Sequence, residues 1–175
     1  MGYAMMLKNM LFSTDRLNIL PLHEYYRKSY VESDFLLNVV AILSPSVVAS
    51  LPPYFQGIED VKQAQVWLDK MQNESDCYVV AESGVNVIVG FLFLYEADDN
   101  TAHLGYLLAE KSWGKGFASE LLIALVQQLK KHNLLKALVG GVDANNAASI
   151  QVLRKAGFHA EAKHENNVLL FRHEF

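Results

Sequence analysis

The stretch of sequence best suited to chemistry is a glycine-rich segment just before the most strongly patterned helix of the chain. It reads Trp113-Gly114-Lys115-Gly116-Phe117-Ala118-Ser119-Glu120. Two glycines and an alanine at alternate positions leave the backbone N–H groups of the first helical turn accessible, so a diphosphate can meet the positive end of the helix dipole. The segment has neither the Gly-Lys-Ser/Thr of a Walker loop nor the chain position of a dinucleotide fingerprint. A tight turn without a ligand explains the glycines equally well.

A second polar cluster lies where a predicted strand gives way to a helix, at Asn145, Asn146 and Ser149. Asparagine is a favoured helix N-cap, and a serine in the first turn can bond to backbone groups that the helix leaves unpaired. Capping alone therefore explains these residues. These residues lie at a second helix N-terminus, which follows the glycine-rich segment in the sequence. This position also favours a role in ligand binding.

The ionisable residues do not suggest a metal site. Cys77 is the only cysteine and opens a run typical of a strand, which favours a small buried residue over a nucleophile. Five of the six histidines are scattered, without the spacing of metal ligands. We therefore predict that no metal is bound.

The elements that must position these segments follow from hydrophobic periodicity. We predict strands over 16–22, 77–83, 87–96, 102–109, 136–142, 160–163 and 168–175, and helices over 23–33, 35–48, 58–72, 116–132 and 147–155. The helix after the glycine-rich segment carries apolar residues at three- and four-residue spacing, which predicts one buried face. The order of the elements predicts a mixed sheet with helices packed against it.

Composition limits the class of protein. A chain of 175 residues with 51% apolar and 19% charged residues is expected to form one globular domain, here 1–175 with 1–12 as an N-terminal extension. It has no apolar run long enough for a membrane span and no signal peptide, which predicts a cytoplasmic protein. The formal net charge of −4 and the lack of a basic stripe argue against nucleic acid and suit a cationic partner.

Together the two polar segments resemble the GNAT superfamily of acetyl-CoA-dependent N-acetyltransferases. Gly116 and Ala118 match its Gln/Arg-x-x-Gly-x-Gly/Ala pattern, whereas Trp113 departs at the Gln/Arg position. Trp-Gly-Lys-Gly-aromatic-Ala is similar to the branch that holds ribosomal-protein alanine and serine acetyltransferases and their small-molecule-acetylating relatives. That branch also shows the Thr-x-Arg-Leu of residues 14–17, the Gly-Tyr of residues 105–106, and Asn-x-x-Ser followed by Lys-x-Gly-Phe.

The resemblance covers about residues 13–175 and implies the GNAT fold. This is an α/β (α+β) arrangement in which a mixed, mostly antiparallel sheet of six to seven strands has helices on both faces. It also implies acetyl-CoA as cosubstrate, with its pantetheine arm inserted between strands 102–109 and 136–142, which splay apart. A monomer and a homodimer are both compatible with it.

The resemblance implies a contact for each part of acetyl-CoA. The backbone of Tyr106, Leu107 and Leu108 would pair with the pantetheine arm, and an N–H group near Leu108 would face the thioester oxygen. The backbone from Trp113 to Ser119 would hold the diphosphate. Asn146 and Ser149 would contact the far side of the arm.

Catalytic roles are also carried over from the resemblance. Many members use a tyrosine on the last helix to protonate the departing thiolate, but the matching residue here is Leu153, and Ser149 looks like the substitute. In the position where this branch commonly has a glutamate base, the chain has His103. The sequence is equally consistent with a general base and with a surface residue beside a turn. Glu96 is the next candidate for the base, or else a solvated strand end.

The acceptor predicted first is the α-amino group of a protein N-terminus, in particular that of a ribosomal protein. A small amine such as a polyamine, amino acid or aminoglycoside is the close alternative. A non-catalytic acyl-CoA-binding module is an alternative of another class, favoured by Leu153 and by His103 in place of glutamate. The resemblance implies that the segment between the early helices walls the acceptor site. The loop over residues 51–57 lies there and is richer in aromatic and proline residues than a solvated connection requires.

Overall fold

A computed structural model describes residues 7–28, 32–85, 87–163 and 167–175 of the chain. The strands are β1 (Phe12–Ser13), β2 (Leu17–Pro21), β3 (Asp76–Glu82), β4 (Ile88–Glu96), β5 (Thr101–Leu108), β6 (Ala137–Asp143), β7 (His159–Lys163) and β8 (Val168–Glu174). The helices are α1 (Leu22–Lys28), α2 (Glu32–Ile42), α3 (Pro45–Val48), α4 (Val61–Glu74), α5 (Phe117–Lys131) and α6 (Ala147–Lys155), with 3₁₀ turns over Pro53–Phe55, Asp98–Asn100 and Glu110–Ser112.

All described strands belong to one sheet in the order β1-β2-β3-β4-β5-β6-β8-β7. Neighbours pair antiparallel except β5 and β6, which are joined by the crossover through α5 and run parallel. The predicted mixed, mostly antiparallel sheet is therefore confirmed. It has eight strands rather than six or seven, because Phe12–Ser13 pairs with β2 through Phe12–Ile19. A strand of two residues is too short to show alternation in a sequence.

Helices cover both faces of the sheet, as predicted. On one face α5 packs its apolar stripe (Phe117, Leu121, Leu122, Leu125, Val126 and Leu129) against the sheet, together with Leu153 of α6. The N-terminal residues Leu7 and Met10 are buried on this face as well. On the other face α2 and α4 enclose an aromatic cluster in which Trp67 meets Phe91 and Phe93.

Local chemistry explains where the helix before the central strands begins. Asp60 is the N-cap of α4, where its carboxylate accepts from Gln63 N at 2.8 Å while the Gln63 side chain accepts from Asp60 N at 3.2 Å. This reciprocal capping box satisfies backbone donors that a helix end otherwise leaves unpaired. None of the described helices is long and apolar enough to cross a membrane.

Candidate active site

The ladder between β5 and β6 stops before either strand ends, and this opens a cleft in the sheet. Pairing runs from Thr101–Ala137 to Leu104–Gly140, whereas β5 continues to Leu108. A cavity of about 550 Å³ lies at this point. It brings together several predicted site residues, namely His103, Tyr106, Leu107, Asn146 and Ser149. Its described lining does not include Glu96, Leu108 or residues 113–119.

The register of β5 shows which backbone groups face this cleft. Ala109 N–H donates to Val89 O at 2.8 Å, on the side of β4. Because successive residues of a strand present their N–H groups to opposite sides, Leu108 and Tyr106 present theirs toward β6, where the ladder has ended. The Leu108 carbonyl on that side already accepts from the Trp113 indole at 2.8 Å. The Tyr106 and Leu108 N–H groups therefore face β6 beyond the last described β5–β6 pair, Leu104–Gly140.

The glycine-rich segment forms a loop that ends on the first turn of α5. Gly114 and Gly116 have φ of +72° and +82°, values that residues with a Cβ rarely adopt. Gly116 is the N-cap and makes no side-chain cap bond. Among the described residues, no acceptor bonds the backbone N–H groups of residues 114–119. This concentration of unpaired donors at a helix N-terminus, with Lys115 beside it, suits a diphosphate.

Asn146 and Ser149 occupy the first turn of α6, at the other side of the cleft. Asn146 is the N-cap, and its side-chain oxygen accepts from Ser149 N at 3.1 Å, so the capping interpretation holds for this residue. The Tyr106 hydroxyl donates to Ser149 Oγ at 3.2 Å. Burial raises the pKa of Tyr106 and the bond with Ser149 partly offsets this, so Tyr106 stays a neutral donor. The Ser149 proton is consequently left to bond a second acceptor.

Leu153 stands further along α6 with 2% of its surface exposed, and it also lines the cavity. A Cβ built at Gly140 would lie 3.2 Å from a Leu153 methyl carbon, so α6 and β6 are in close contact here. The position at which the resemblance expects a tyrosine therefore presents only methyl groups to the cavity. Of the side chains on α6, it is Ser149 that offers the cavity a hydroxyl.

The two candidate bases differ in their surroundings. His103 is exposed, lines the cavity and lies opposite Tyr95 of β4 in the strand register. Glu96 ends β4, and its charge acts on Asp76, whose pKa is raised to about 6 mainly by burial and then by Glu96. The geometry therefore favours His103 over Glu96 as the group that meets a substrate in the cavity.

The loop over residues 51–57 contributes a wall of the cavity through Leu51 and the turn Pro53–Phe55. Phe55 is buried and packs edge-on against Trp67 at 5.6 Å and Phe93 at 5.9 Å between ring centroids. Tyr54 lies on Phe55 but keeps 41% of its surface exposed. Phe55 thus anchors the loop to the core, while Tyr54 is available to a ligand.

Comparison with known proteins then decides the family. Residues 30–159, well over half of the chain, match the family described as the acetyltransferase (GNAT) domain. This chain belongs to the GNAT family. The GNAT assignment agrees with the sheet, in which the parallel pair β5–β6 opens beside a glycine-rich loop.

Two curated relatives are similar to this GNAT chain. The protein YkkB of Bacillus subtilis is 25% identical over 114 residues, which cover 61% of this chain and 66% of YkkB. An L-methionine sulfoximine/L-methionine sulfone acetyltransferase of Pseudomonas aeruginosa is 23% identical over 128 residues, which cover 70% of this chain and 74% of the relative.

Solved structures share the GNAT fold with this chain. A GNAT acetyltransferase from Bacillus anthracis superposes with a TM-score of 0.76 at 19% identity, over 94% of this chain and 98% of the other. The ribosomal L7/L12 α-N-protein acetyltransferase RimL, in complex with coenzyme A, gives 0.76 at 17% identity over 95% and 98%. At such identities the likeness is one of fold.

The roles of two side chains in this GNAT site were not predicted from the sequence. Tyr106 was expected to act through its backbone, yet its hydroxyl bonds Ser149. Tyr95 lines the cavity opposite His103, and burial raises its pKa. Strand alternation places Tyr95 on the same face as the buried Phe93 and Phe91, and this pattern is a signal that could have found it. The described residues hold no group of three or more His, Cys, Asp or Glu that could bind a metal.

Proposed function

We propose that this chain is an acetyl-CoA-dependent N-acetyltransferase that acts on the α-amino group of a protein N-terminus, of the ribosomal-protein type. The cleft between β5 and β6 carries the proposal, because its edges present backbone donors that lack acceptors among the described residues. A ligand that lies along such an edge, as the pantetheine arm is expected to, gains backbone hydrogen bonds as an added strand does.

The residues around the cleft fit acetyl-CoA as cosubstrate. The unpaired N–H groups of 114–119 and the Lys115 side chain complement a diphosphate. The backbone of Tyr106 to Leu108 complements the amides of the pantetheine arm, with Asn146 and Ser149 on its other side. The acetyl thioester supplies an activated carbonyl, and no metal is needed for its transfer.

Three groups of this chain take part in the direct transfer of the acetyl group to the amine. His103 takes a proton from the ammonium group of the acceptor, which frees the amine to attack the thioester carbon. The Leu108 N–H donates to the carbonyl oxygen as negative charge develops on it. As the C–S bond breaks, Ser149 donates its proton to the thiolate and regains one from solvent. The attacking nitrogen releases its second proton to solvent, which leaves the neutral amide.

Support for a peptide acceptor comes from shape and charge. The cavity is open and has an apolar wall at Tyr54 and Pro53, while the chain carries a formal net charge of −4. RimL, which shares the fold, acts on a protein α-amine by its description.

A small amine is the second candidate, supported by the sequence similarity to the methionine sulfoximine acetyltransferase. That relative acts on a small molecule by its description, so an acetyltransferase of similar sequence can serve a small acceptor. The non-catalytic acyl-CoA-binding module is the third candidate, because Leu153 replaces the usual tyrosine.

The deciding experiment measures thiol release from acetyl-CoA across an acceptor panel. The panel contains peptides that begin with Ala or Ser, matched N-terminally blocked peptides with internal lysine, polyamines, amino acids, L-methionine sulfoximine and aminoglycosides. Turnover with the unblocked peptides alone supports the proposal. Turnover with small amines only would overturn the acceptor class, and silence with acetyl-CoA still bound would favour the non-catalytic module.

A further inference from the structure

A network of polar contacts joins the turn between β1 and β2 to the loop before α5. Arg16 Nε and Nη2 lie 2.7 and 2.5 Å from Glu120 Oε2, and the Arg16 backbone N–H donates to Glu120 Oε1 at 3.0 Å. Thr14 Oγ1 donates to the same Oε1 at 2.5 Å. These residues are 104 and 106 positions apart in the chain. Thr14 and Arg16 belong to the Thr-x-Arg-Leu motif, to which the proposed chemistry gives no role.

Arg16 also reaches the glycine-rich loop directly. Its Nη1 donates to Lys115 O at 3.0 Å, and its guanidinium carbon lies 4.7 Å from the centroid of the Phe117 ring. In a trans peptide the C=O and the next N–H point in opposite directions. Holding Lys115 O therefore turns the Gly116 N–H away from Arg16, and this N–H is among the unpaired donors of the loop.

The charge of Glu120 gives the network an electrostatic consequence. Glu120 lies in the first turn of α5, where the helix dipole favours an anion. A carboxylate without a counter-charge at that place would repel a diphosphate. Burial alone would raise the pKa of Glu120, but hydrogen bonds from Thr14 and Arg16 lower it, so Glu120 is ionised and paired. The pair thus leaves the loop free to receive a second anion.

We propose that Arg16 is a positioning residue for the cosubstrate diphosphate. Through Glu120 and Lys115 O it holds the loop with its N–H groups facing outward, and it cancels the carboxylate charge beside them. Thr14 donates to Oε1 of the same carboxylate, whereas the Arg16 guanidinium bonds Oε2. This inference rests on the proposed use of acetyl-CoA and adds a role for a residue outside the cleft.

The test compares Arg16→Gln with the wild type by calorimetry of acetyl-CoA, which needs no acceptor. Loss of the charged pair is expected to weaken acetyl-CoA binding about tenfold or more. With the amine found in the panel, KM for acetyl-CoA rises by a similar factor and kcat changes much less. S-acetyl-pantetheine lacks the diphosphate, so its kcat/KM is expected to stay unchanged in the variant.

Further variants separate positioning from other roles. The double variant Arg16→Gln/Glu120→Gln removes the unpaired charge and should recover part of the lost affinity. Arg16→Lys keeps the positive charge but cannot bond Glu120 and Lys115 O together, so its affinity should fall between those of Arg16→Gln and the wild type. Arg172→Gln, which breaks the exposed pair with Glu174 on β8, is the matched control and should bind acetyl-CoA normally.

Three outcomes would overturn the inference. Equal losses with acetyl-CoA and S-acetyl-pantetheine would make Arg16 a general structural residue. A double variant as weak as Arg16→Gln would indicate that Arg16 contacts the phosphates itself. Normal affinity in Arg16→Gln would leave the network without a role in binding. If the wild type binds acetyl-CoA but acetylates no amine, the proposed function fails while the role of Arg16 is still decided by calorimetry.

Discussion

The hydroxyl group of Ser149 has a single proton, and the bond from Tyr106 determines where that proton can go. If Ser149 protonates the thiolate, Ser149→Ala lowers kcat about 10- to 100-fold and changes KM for acetyl-CoA much less. Steady-state kinetics with acetyl-CoA varied measure both quantities. A raised KM with normal kcat would instead make Ser149 a binding residue only.

Truncating the side chain of His103 tests whether this residue is the general base. His103→Ala is expected to lower kcat about 10²-fold or more, because the acceptor then loses its proton only to solvent. The pH–rate profile of the variant should differ from that of the wild type. His132 is exposed at the end of α5, so His132→Ala is a matched control that should retain normal kinetics. An unaltered profile in His103→Ala would assign proton removal to water or to Glu96.

At the scale of elements, the loop before α5 depends on backbone conformation more than on side chains. Gly116→Ala places a Cβ at φ +82°, which is expected to cost about 1–2 kcal/mol and to raise KM for acetyl-CoA. Gly84 in the turn before β4 has φ +83° and open space around it, so Gly84→Ala should cost similar stability with normal KM. Thermal unfolding and kinetics on both variants measure the difference. Equal KM values for acetyl-CoA in the two variants would show that the loop does not take part in cosubstrate binding.

The turn at Pro53–Phe55 is an element whose two aromatic residues should respond differently to truncation. Tyr54→Ala is expected to raise the acceptor KM and leave acetyl-CoA affinity and thermal stability nearly unchanged, since Tyr54 is largely exposed. Phe55→Ala should cost about 3–5 kcal/mol, because it empties a buried site between Trp67 and Phe93. Kinetics and denaturant unfolding distinguish the two. An unchanged acceptor KM in Tyr54→Ala would exclude this wall from substrate contact.

At the scale of the whole molecule, Asp76 links stability to pH. Burial, followed by the Glu96 charge, raises the pKa of Asp76 from 3.8 to about 6, and one of its oxygens has no partner among the described residues. The folded state then binds a proton more tightly than the unfolded chain, so this group stabilises the fold below pH 3.8 and loses that contribution as pH rises through about 6.

Asp76→Asn should therefore raise the melting temperature at pH 7.5 by about 2–4 °C, which corresponds to about 1 kcal/mol after allowance for solvent screening of a partly exposed group. The gain over the wild type should shrink toward pH 4.5. Thermal unfolding across that pH range measures it. A gain that is independent of pH would show that the carboxylate charge is not its cause.

Much of this protein could be predicted from the sequence by itself. Apolar spacing predicted the buried stripe of α5. Strand-like runs on either side of turn residues predicted the central strands to within a few residues. Gly114 and Gly116 could be assigned to a tight backbone turn because few other residues tolerate positive φ. Such signals are local, since periodicity and turn chemistry depend on residues a few positions apart. The family followed from motifs of the same short range.

Only the tertiary structure decided which side chains meet. Tyr106 reaches Ser149 across 43 positions, and Arg16 reaches Glu120 across 104. The sheet register places His103 in the cavity and Glu96 outside its described lining. The strand Phe12–Ser13 exists because β2 offers it a partner. These contacts depend on strand order, register and helix docking, which fix distances between residues that no local pattern relates.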